Sequence, residues 1–230
     1  MKRRISILLF LLVALAVAAD ARESDWQIWL DQSLGYDLNE NNTFRVDQSF
    51  RIKKDMSRLE TYTVQIGLQQ HKRSWIEHGY YVRYVRDDVY SIPVNEIRPT
   101  YDLVLKWNWW GGRWANRSRF EYRFREGRDD TFRYRNRQRL VLPWALTPLE
   151  LKPYGAAEIF LNPGDDTILV KNRLRGMVGI QTEPDGFIRK MEIKGGRRFT
   201  SDLYLMYQQT ESLNTLVNEY ILGFKLGFFF

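Results

Sequence analysis

Residues 220–230 read YILGFKLGFFF, and this closing stretch decides the fold. Every even position up to the last residue is apolar: Tyr220, Leu222, Phe224, Leu226, Phe228 and Phe230. A period of two is typical of a β-strand whose two faces meet different surroundings. A soluble protein would gain little from an exposed apolar terminus, whereas the closing strand of a transmembrane β-barrel needs an apolar outer face edged with aromatic residues.

The same alternation of apolar and polar residues runs through the chain from Trp26 onward. It predicts twelve strands joined by short turns, at residues 26–38, 44–52, 62–68, 76–84, 101–109, 114–124, 132–142, 149–161, 167–182, 187–194, 197–209 and 214–230. Ten strands are the alternative, because the pair at residues 187–209 is the least regular. A turn is predicted at Gly111-Gly112 and a longer connection at residues 86–96. Several strands keep phase for about ten residues or more, whereas strands of a soluble β-sandwich average about five or six. We therefore predict an all-β fold, a transmembrane antiparallel up-and-down barrel of about twelve strands.

The first 21 residues have the layout of a secretory signal peptide. Lys2, Arg3 and Arg4 precede an apolar run at residues 5–17, and small residues follow, with cleavage expected after Ala21 or, as the alternative, after Ala18. A retained N-terminal anchor is the alternative, although a run of about thirteen residues is short for a membrane-spanning helix. The sequence thus divides into a signal peptide at residues 1–21 and a barrel at residues 22–230. We expect the mature protein in the bacterial outer membrane, in contact with its lipid.

The polar phase of the strands is strongly basic and is predicted to face the lumen. The chain carries 35 Lys and Arg residues against 28 Asp and Glu residues. The predicted basic track follows two neighbouring strands, with Glu121 between its members, and continues on a later strand: Arg113, Arg117, Arg119, Arg123, Arg125, Arg133, Arg135, Arg137, Arg139, Lys171, Arg173 and Arg175. Guanidinium groups stay charged and bind carboxylate, phosphate or sulfate. This track predicts a small channel that passes or binds anionic solutes.

Carboxylates also take the inward phase, and they leave a second interpretation open. These residues are Asp25, Asp31, Asp37, Asp47, Glu77, Asp102, Glu158, Asp202 and Glu219. A narrow barrel could pair them with the arginines in a network that fills the interior. The protein would then be a non-conducting barrel with a role in envelope structure, lipid contact or partner binding. About twelve strands lie between filled eight-stranded barrels and wet sixteen-stranded porins, so size alone does not choose between the two.

Four polar residues break the outward apolar pattern on the sixth and seventh predicted strands: Asn116, Ser118, Asn136 and Gln138. They lie opposite one another across one hairpin and predict an outward polar patch. Two interpretations fit this patch: a position at the headgroup boundary of a membrane, or a contact between protomers.

Little in the sequence supports catalysis, metal binding or nucleic-acid binding. The absence of cysteine excludes a disulfide scaffold, a thiolate metal site and a cysteine nucleophile. His71 with Ser74, and His78 with Glu77, are the only local candidates for a Ser–His–carboxylate cluster. We therefore expect no enzymatic activity, no metal and no cofactor. Arginines on lumen-facing strands do not form a surface for nucleic acid, so none is expected as a partner.

Three stretches, residues 117–124 (RSRFEYRF), 133–137 (RYRNR) and 171–174 (KNRL), resemble a family of bacterial outer-membrane proteins of unknown function. The resemblance begins near Trp26, and it implies an outer-membrane barrel with no established activity. The C-terminus is similar to the assembly signal of bacterial outer-membrane proteins, which implies Tyr220, Phe224, Phe228 and Phe230 as its residues and the barrel-assembly machinery as a partner. In size and basic lumen alone, the chain is similar to small porins for acidic oligosaccharides, such as the oligogalacturonate and sialic-acid porins.

Overall fold

Eleven long β-strands form a closed barrel in the computed structural model of the chain. The structure describes residues 25–89, 92–147, 150–162, 170–182, 198–212 and 215–230; the predicted signal peptide lies outside these ranges. The strands are β1 (Asp25–Asn39), β2 (Asn42–Lys53), β3 (Arg58–Arg73), β4 (Ile76–Val89), β5 (Ile92–Trp109), β6 (Gly112–Arg125), β7 (Thr131–Val141), β8 (Lys152–Asn162), β9 (Val170–Gln181), β10 (Arg198–Ser212) and β11 (Thr215–Phe229).

The barrel winds up and down, and each strand pairs antiparallel with its neighbours in sequence. The closing pair is different, because β1 and β11 run parallel, with Asp25 opposite Glu219 and Gly35 opposite Phe229. An odd number of alternating strands necessarily points the first and the last in the same direction. The prediction of an all-β barrel is confirmed, with eleven described strands instead of about twelve. The predicted strand at residues 187–194 accounts for the difference, and it lies outside the described residues.

The barrel has two ends, which we call the Phe230 end and the Asp25 end. The Phe230 end carries the C-terminus and the turns after β1, β3 and β5. The Asp25 end carries the start of β1 and the turns after β2, β4 and β6.

Two predicted connections differ from the observed ones. The long connection predicted at residues 86–96 is wrong, because β4 continues to Val89 and pairs with β5 from Ile92 onward. Backbone ladder bonds need no particular side chain, so pairing continues past the point where the apolar alternation fades. The turn predicted at Gly111-Gly112 is shifted by one residue: Trp110 (φ 50°) and Gly111 (φ 72°) hold the left-handed conformation of a type I′ hairpin.

The outward face of the strands is apolar and exposed, as the alternation predicts. On β11 it presents Leu222, Phe224 and Phe228, each more than a third exposed. Within the described ranges, no helix is long and apolar enough to cross a membrane.

Tyrosines and glycines pack against one another on the inward face. Tyr204 lies opposite Gly223, and a Cβ atom built on Gly223 would stand 1.9 Å from the Tyr204 ring. Tyr154 also covers Gly179, where a Cβ atom would stand 2.8 Å from the Tyr154 ring and 2.6 Å from the Leu203 carbonyl oxygen. A large ring over a bare backbone fills the interior without a clash, and it shields a glycine that would otherwise weaken the strand. Tyr154 and Tyr204 join Trp29 in a buried interior cluster.

Candidate functional site

A cavity of about 1050 Å³ occupies the half of the barrel interior nearer the Phe230 end, and we call it the vestibule. Its lining reaches Ser74 and Trp75 in the turn between β3 and β4, at the Phe230 end. Twelve cationic side chains line it: Arg45, Arg51, Arg83, Lys106, Arg113, Arg117, Arg119, Arg135, Arg137, Arg139, Arg175 and Lys225. Six carboxylates line it: Asp31, Asp47, Glu77, Asp102, Glu158 and Asp202. The vestibule therefore carries a large positive excess.

The other half of the interior is filled by side chains. Inward-facing Gln27 and Glu121 are 0% exposed there, and Phe160 is 1% exposed. None of these three residues lines the vestibule, so they mark a packed interior. The described part of the barrel thus has an open half and a filled half.

Two buried carboxylates lie at the boundary between the two halves, and the first is Glu121. Its carboxylate accepts hydrogen bonds from Arg133 (2.6 Å) and Arg135 (3.1 Å). Arg83 and Arg119 approach the same oxygen pair at 3.8 Å and 3.9 Å. Strand pairing makes this convergence possible, because Arg133 lies directly opposite Glu121 on β7. Four guanidinium groups therefore share one fully buried carboxylate.

Glu158 on β8 holds the second part of the boundary. It pairs with Arg117 at 2.7 Å, Arg135 at 3.0 Å and Arg175 at 3.2 Å. Arg135 bridges the two carboxylates, since its two terminal nitrogens contact Glu121 and Glu158 separately. We call Glu121, Glu158 and their arginine partners, Arg83, Arg117, Arg119, Arg133, Arg135 and Arg175, the ionic layer.

Aromatic rings also contact the arginines of the ionic layer. The guanidinium groups of Arg135 and Arg175 each lie 4.4 Å from the centre of the Phe160 ring. Arg175 also lies 4.8 Å from Trp29 and donates a 2.6 Å hydrogen bond to Gln208. Cation–π contacts of this kind stabilise a desolvated arginine without neutralising its charge. The layer is thereby held in place on several sides.

Further carboxylates pair with arginines within the ionic layer and beside it. Arg119 forms a bidentate pair with Asp102, with both distances 2.6 Å. On the filled side, Glu96 accepts bidentate hydrogen bonds from both Arg98 and Arg123. Each of these bidentate pairs uses two of the five N–H donors of its arginine and compensates the charge of that arginine.

Three cations of the vestibule remain available to form hydrogen bonds and ion pairs. Arg137, Lys225 and Arg51 form no ion pair and no hydrogen bond with any residue that the structure describes. Arg51 stacks on Trp29, 4.1 Å from the ring centre, and its Nε atom is buried without a partner. Arg137 lies opposite Arg117 across the β6–β7 pair. These three side chains are the strongest candidates to hold an anion.

Comparison with known proteins identifies a family. A sequence profile described as "Protein of unknown function (DUF2490)" matches residues 26–218, which is most of the chain. The chain belongs to the DUF2490 family. No curated protein matches it. No solved structure matches it either.

The basic track predicted for this DUF2490 barrel is divided by the ionic layer. The members that line the vestibule are Arg113, Arg117, Arg119, Arg135, Arg137, Arg139 and Arg175. Arg123 and Arg173 lie on the filled side, with hydrogen bonds to Glu96 and Thr210, and Arg133 belongs to the ionic layer through its bond to Glu121. Arg125 donates to the Asp129 carbonyl in the β6–β7 turn. Lys171 pairs with Leu161 in the β8–β9 register, and its side chain lies outside the described part.

Several residues of the vestibule were not among the predicted site residues. Lys225 takes the inward phase of β11, opposite Asp31 and Asp202. Trp29, Tyr81 and Tyr204 are inward aromatic residues on strands whose inward phase is mainly polar. A signal for Lys225 was present, since it is the charged residue between Phe224 and Leu226.

The histidine candidates of this DUF2490 barrel do not form a Ser–His–carboxylate cluster. His71 contacts Glu77 at 3.1 Å, and Glu77 is also paired with Lys106 and accepts from Gln69. His78 bonds to the Tyr101 hydroxyl at 2.8 Å and lies in the outward phase. Among the described residues, no group of three or more His, Asp or Glu side chains is placed to hold a metal ion.

Proposed function

We propose that this DUF2490 protein is an outer-membrane β-barrel that binds small anionic solutes in its vestibule. The ionic layer closes the vestibule to passage in the conformation described above. The observation that carries the proposal is the vestibule lining, with twelve cations against six carboxylates around a cavity of about 1050 Å³.

The outward face supports placement in a membrane. Apolar positions on β11 run from Tyr220 to Phe230, about 33 Å of strand, or roughly 23 Å of height at a tilt of about 45°. The apolar band of an outer-membrane barrel is about 25 Å tall and flanked by aromatic residues. Stacked tryptophans, Trp107, Trp109, Trp110 and Trp114, gather at the Phe230 end. Tyr122 and Phe124 pack together at the Asp25 end.

The lining supports an anionic ligand. Low-dielectric walls focus the field of the excess cations into the vestibule. Charge-assisted hydrogen bonds from guanidinium groups are about twice as strong as neutral ones. The aromatic faces of Trp29 and Tyr154 lie beside the cations. A solute of a few hundred Å³ with carboxylate or phosphate groups fits this chemistry.

The proposal is tested by titrating the purified barrel in detergent with trigalacturonate, citrate and pyrophosphate, and with neutral maltotriose as a control ligand. Heat of binding and quenching of tryptophan fluorescence are measured. Substitution of Arg137 and Lys225 by Gln should weaken anion binding at least about tenfold, since each hydrogen bond to a charged group contributes about 1.5–3 kcal/mol. Neither residue neutralises a described carboxylate through an ion pair, so the barrel should stay folded.

Arg128→Gln is the matched control, because Arg128 is exposed in the β6–β7 turn at the opposite end. Its substitution should leave anion affinity unchanged. Equal affinity for maltotriose and the anions, or unchanged anion binding by the Arg137→Gln/Lys225→Gln variant, contradicts the proposal.

Passage of anions through the barrel is the second candidate function, and one observation favours it. Arg123 and Arg173 continue the line of cations beyond the ionic layer, so opening the layer would join both groups into one track. Planar-bilayer conductance distinguishes the two candidates. A steady, anion-selective current from the unmodified protein supports passage, and the absence of current supports binding alone.

A further inference from the structure

The outward polar patch on β6 and β7 forms a connected hydrogen-bonded cluster. Asn116 and Asn136 exchange hydrogen bonds of 3.2 Å and 3.4 Å across the strand pair. Asn136 also donates to Ser118 (3.2 Å) and to the Tyr134 hydroxyl (3.2 Å). Gln138 donates one long bond of 3.4 Å to Asn136. The polar patch is therefore one surface feature.

The polar patch lies inside the apolar band. Along β6 it is flanked by Trp114 on one side and Phe120 on the other. Along β7 it is flanked by Tyr134 and Leu140. Across the strands, Ser118 faces Leu103 and Asn136 faces Ile159. Apolar or aromatic residues therefore border the patch on both sides along each strand, which favours a contact between protomers over a position at the headgroup boundary.

Small residues adjoin the polar patch on β8 and β9. Gln138 lies opposite Ala157, and Ala157 lies opposite Gly176. A Cβ atom on Gly176 would meet nothing within 4 Å, and one on Gly155 would meet only a backbone oxygen at 3.9 Å. Bulky outward residues stand on the neighbouring strands, for example Leu203 and Leu205 on β10. The small residues thus form a shallow groove beside the polar patch.

Part of the hydrogen-bonding capacity of the polar patch remains unused. A primary amide offers two donors and an acceptor oxygen with two lone pairs. Gln138 is exposed, and its side-chain oxygen accepts no hydrogen bond from the residues described. Unsatisfied amide groups are costly in hydrocarbon, where water cannot replace the missing partner. Protein is a better neighbour for this surface than acyl chains.

We infer that the polar patch and the adjoining groove are an interface with a second copy of this chain in the membrane, an inference that rests on the proposed membrane placement. Amide and hydroxyl side chains both donate and accept, so the patch is complementary to itself across a two-fold axis, as an isologous interface requires. Small residues allow two surfaces to approach closely within a bilayer. Acyl chains satisfy neither the donors nor the acceptors.

The test uses the full-length protein reconstituted into phosphatidylcholine vesicles. Because the chain has no cysteine, a single Ala157→Cys substitution reports proximity of two copies through an oxidised cross-link. Ile66→Cys on β3 is the matched control, because Ile66 is outward and exposed away from the patch. We expect dimer from Ala157→Cys and at least tenfold less from Ile66→Cys.

The second arm removes the amides. Asn136→Leu/Gln138→Leu should weaken dimerisation at least tenfold, measured by single-molecule photobleaching at several protein densities. Gln32→Leu/Gln48→Leu is the control, because these two outward amides pair on β1 and β2 beside bulky Leu226 and Val64. Leucine suits a lipid-facing position, so both variants should fold.

The outcomes separate the interface from the membrane placement. A protein that inserts into vesicles but stays monomeric, cross-links equally at both cysteine positions, or dimerises unchanged after loss of the amides overturns the interface alone. A protein that fails to enter carbonate-resistant vesicle fractions overturns the membrane placement and the interface with it. Dimers that depend on the patch and not on the control amides support the inference.

Discussion

At the scale of single residues, packing on the inward face depends on tyrosine rings that lie directly against glycine backbones. Tyr204 occupies the space that a side chain at Gly223 would need. The same relation holds for Tyr154 over Gly179. The identity of each glycine is therefore determined by the residue opposite it on the neighbouring strand.

Gly223→Ala should destabilise the barrel by about 1–3 kcal/mol, because the added methyl group forces the Tyr204 ring to move within a packed interior. Gly176→Ala is the control, since its Cβ atom would meet nothing within 4 Å. The measurement is urea-induced unfolding of the monomer in detergent, followed by tryptophan fluorescence. Equal stability of the two variants would show that the Tyr204 ring adapts freely.

Glu158 illustrates how one carboxylate can hold several cations at the residue scale. It is 3% exposed and pairs with Arg117, Arg135 and Arg175. Glu158→Gln leaves three buried guanidinium groups without this negative partner, so we expect a loss of about 3–5 kcal/mol in unfolding free energy. The same urea titration measures the loss. Glu40→Gln, in the exposed turn after β1, should change stability by less than about 0.5 kcal/mol.

The closing strand pair is the feature that matters most at the scale of elements. β11 is antiparallel to β10 and parallel to β1, and the Phe230 N–H group donates to the Gly35 carbonyl at 3.0 Å. The chain terminus is thus held inside the ladder. The apolar alternation of residues 220–230 predicted the outward face of β11 but not its partner.

A disulfide tests the parallel register. Leu30 lies opposite Phe224 across the β1–β11 pair, so Leu30→Cys/Phe224→Cys should cross-link readily in the folded protein, since paired Cα atoms lie about 5 Å apart. Leu30→Cys/Phe228→Cys should not cross-link, because the partner stands about 13 Å farther along the strand. Gel mobility under non-reducing conditions reads out the bond. Efficient cross-linking of the second pair alone would contradict the register.

At the scale of the whole molecule, the interior consists of an open half and a filled half. The vestibule opens at the Phe230 end, and the ionic layer separates it from the filled half toward the Asp25 end. Thr200→Cys in the vestibule should react with an anionic thiosulfonate reagent at least about tenfold faster than Thr100→Cys, which replaces a residue that is 6% exposed in the filled half. Mass spectrometry follows the labelling, with both unfolded variants as reactivity controls. Equal rates in the folded state would mean that the filled half is open to solvent.

The sequence predicted many of the residues that line the site. It did not predict the division of the interior into a vestibule and a filled half. The alternation predicted Arg117, Arg135 and Glu158 on the inward face, and all three line the vestibule. Which arginine pairs with which carboxylate depends on strand register and on side chains that meet across the lumen. Arg135, for example, joins Glu121 and Glu158 from two different strands. Contacts between residues of different strands produce no periodic pattern in the sequence.

The sequence by itself determined that this protein is a closed, all-β barrel with an apolar outer face and a basic interior, because strands expose alternate residues to opposite sides. The tertiary structure alone decided the parallel closure of β1 on β11, the ionic layer and the position of the polar patch within the apolar band. Each of these depends on which residues are brought opposite one another around the barrel. That information is held in register and closure, which arise only when all the strands pair at once.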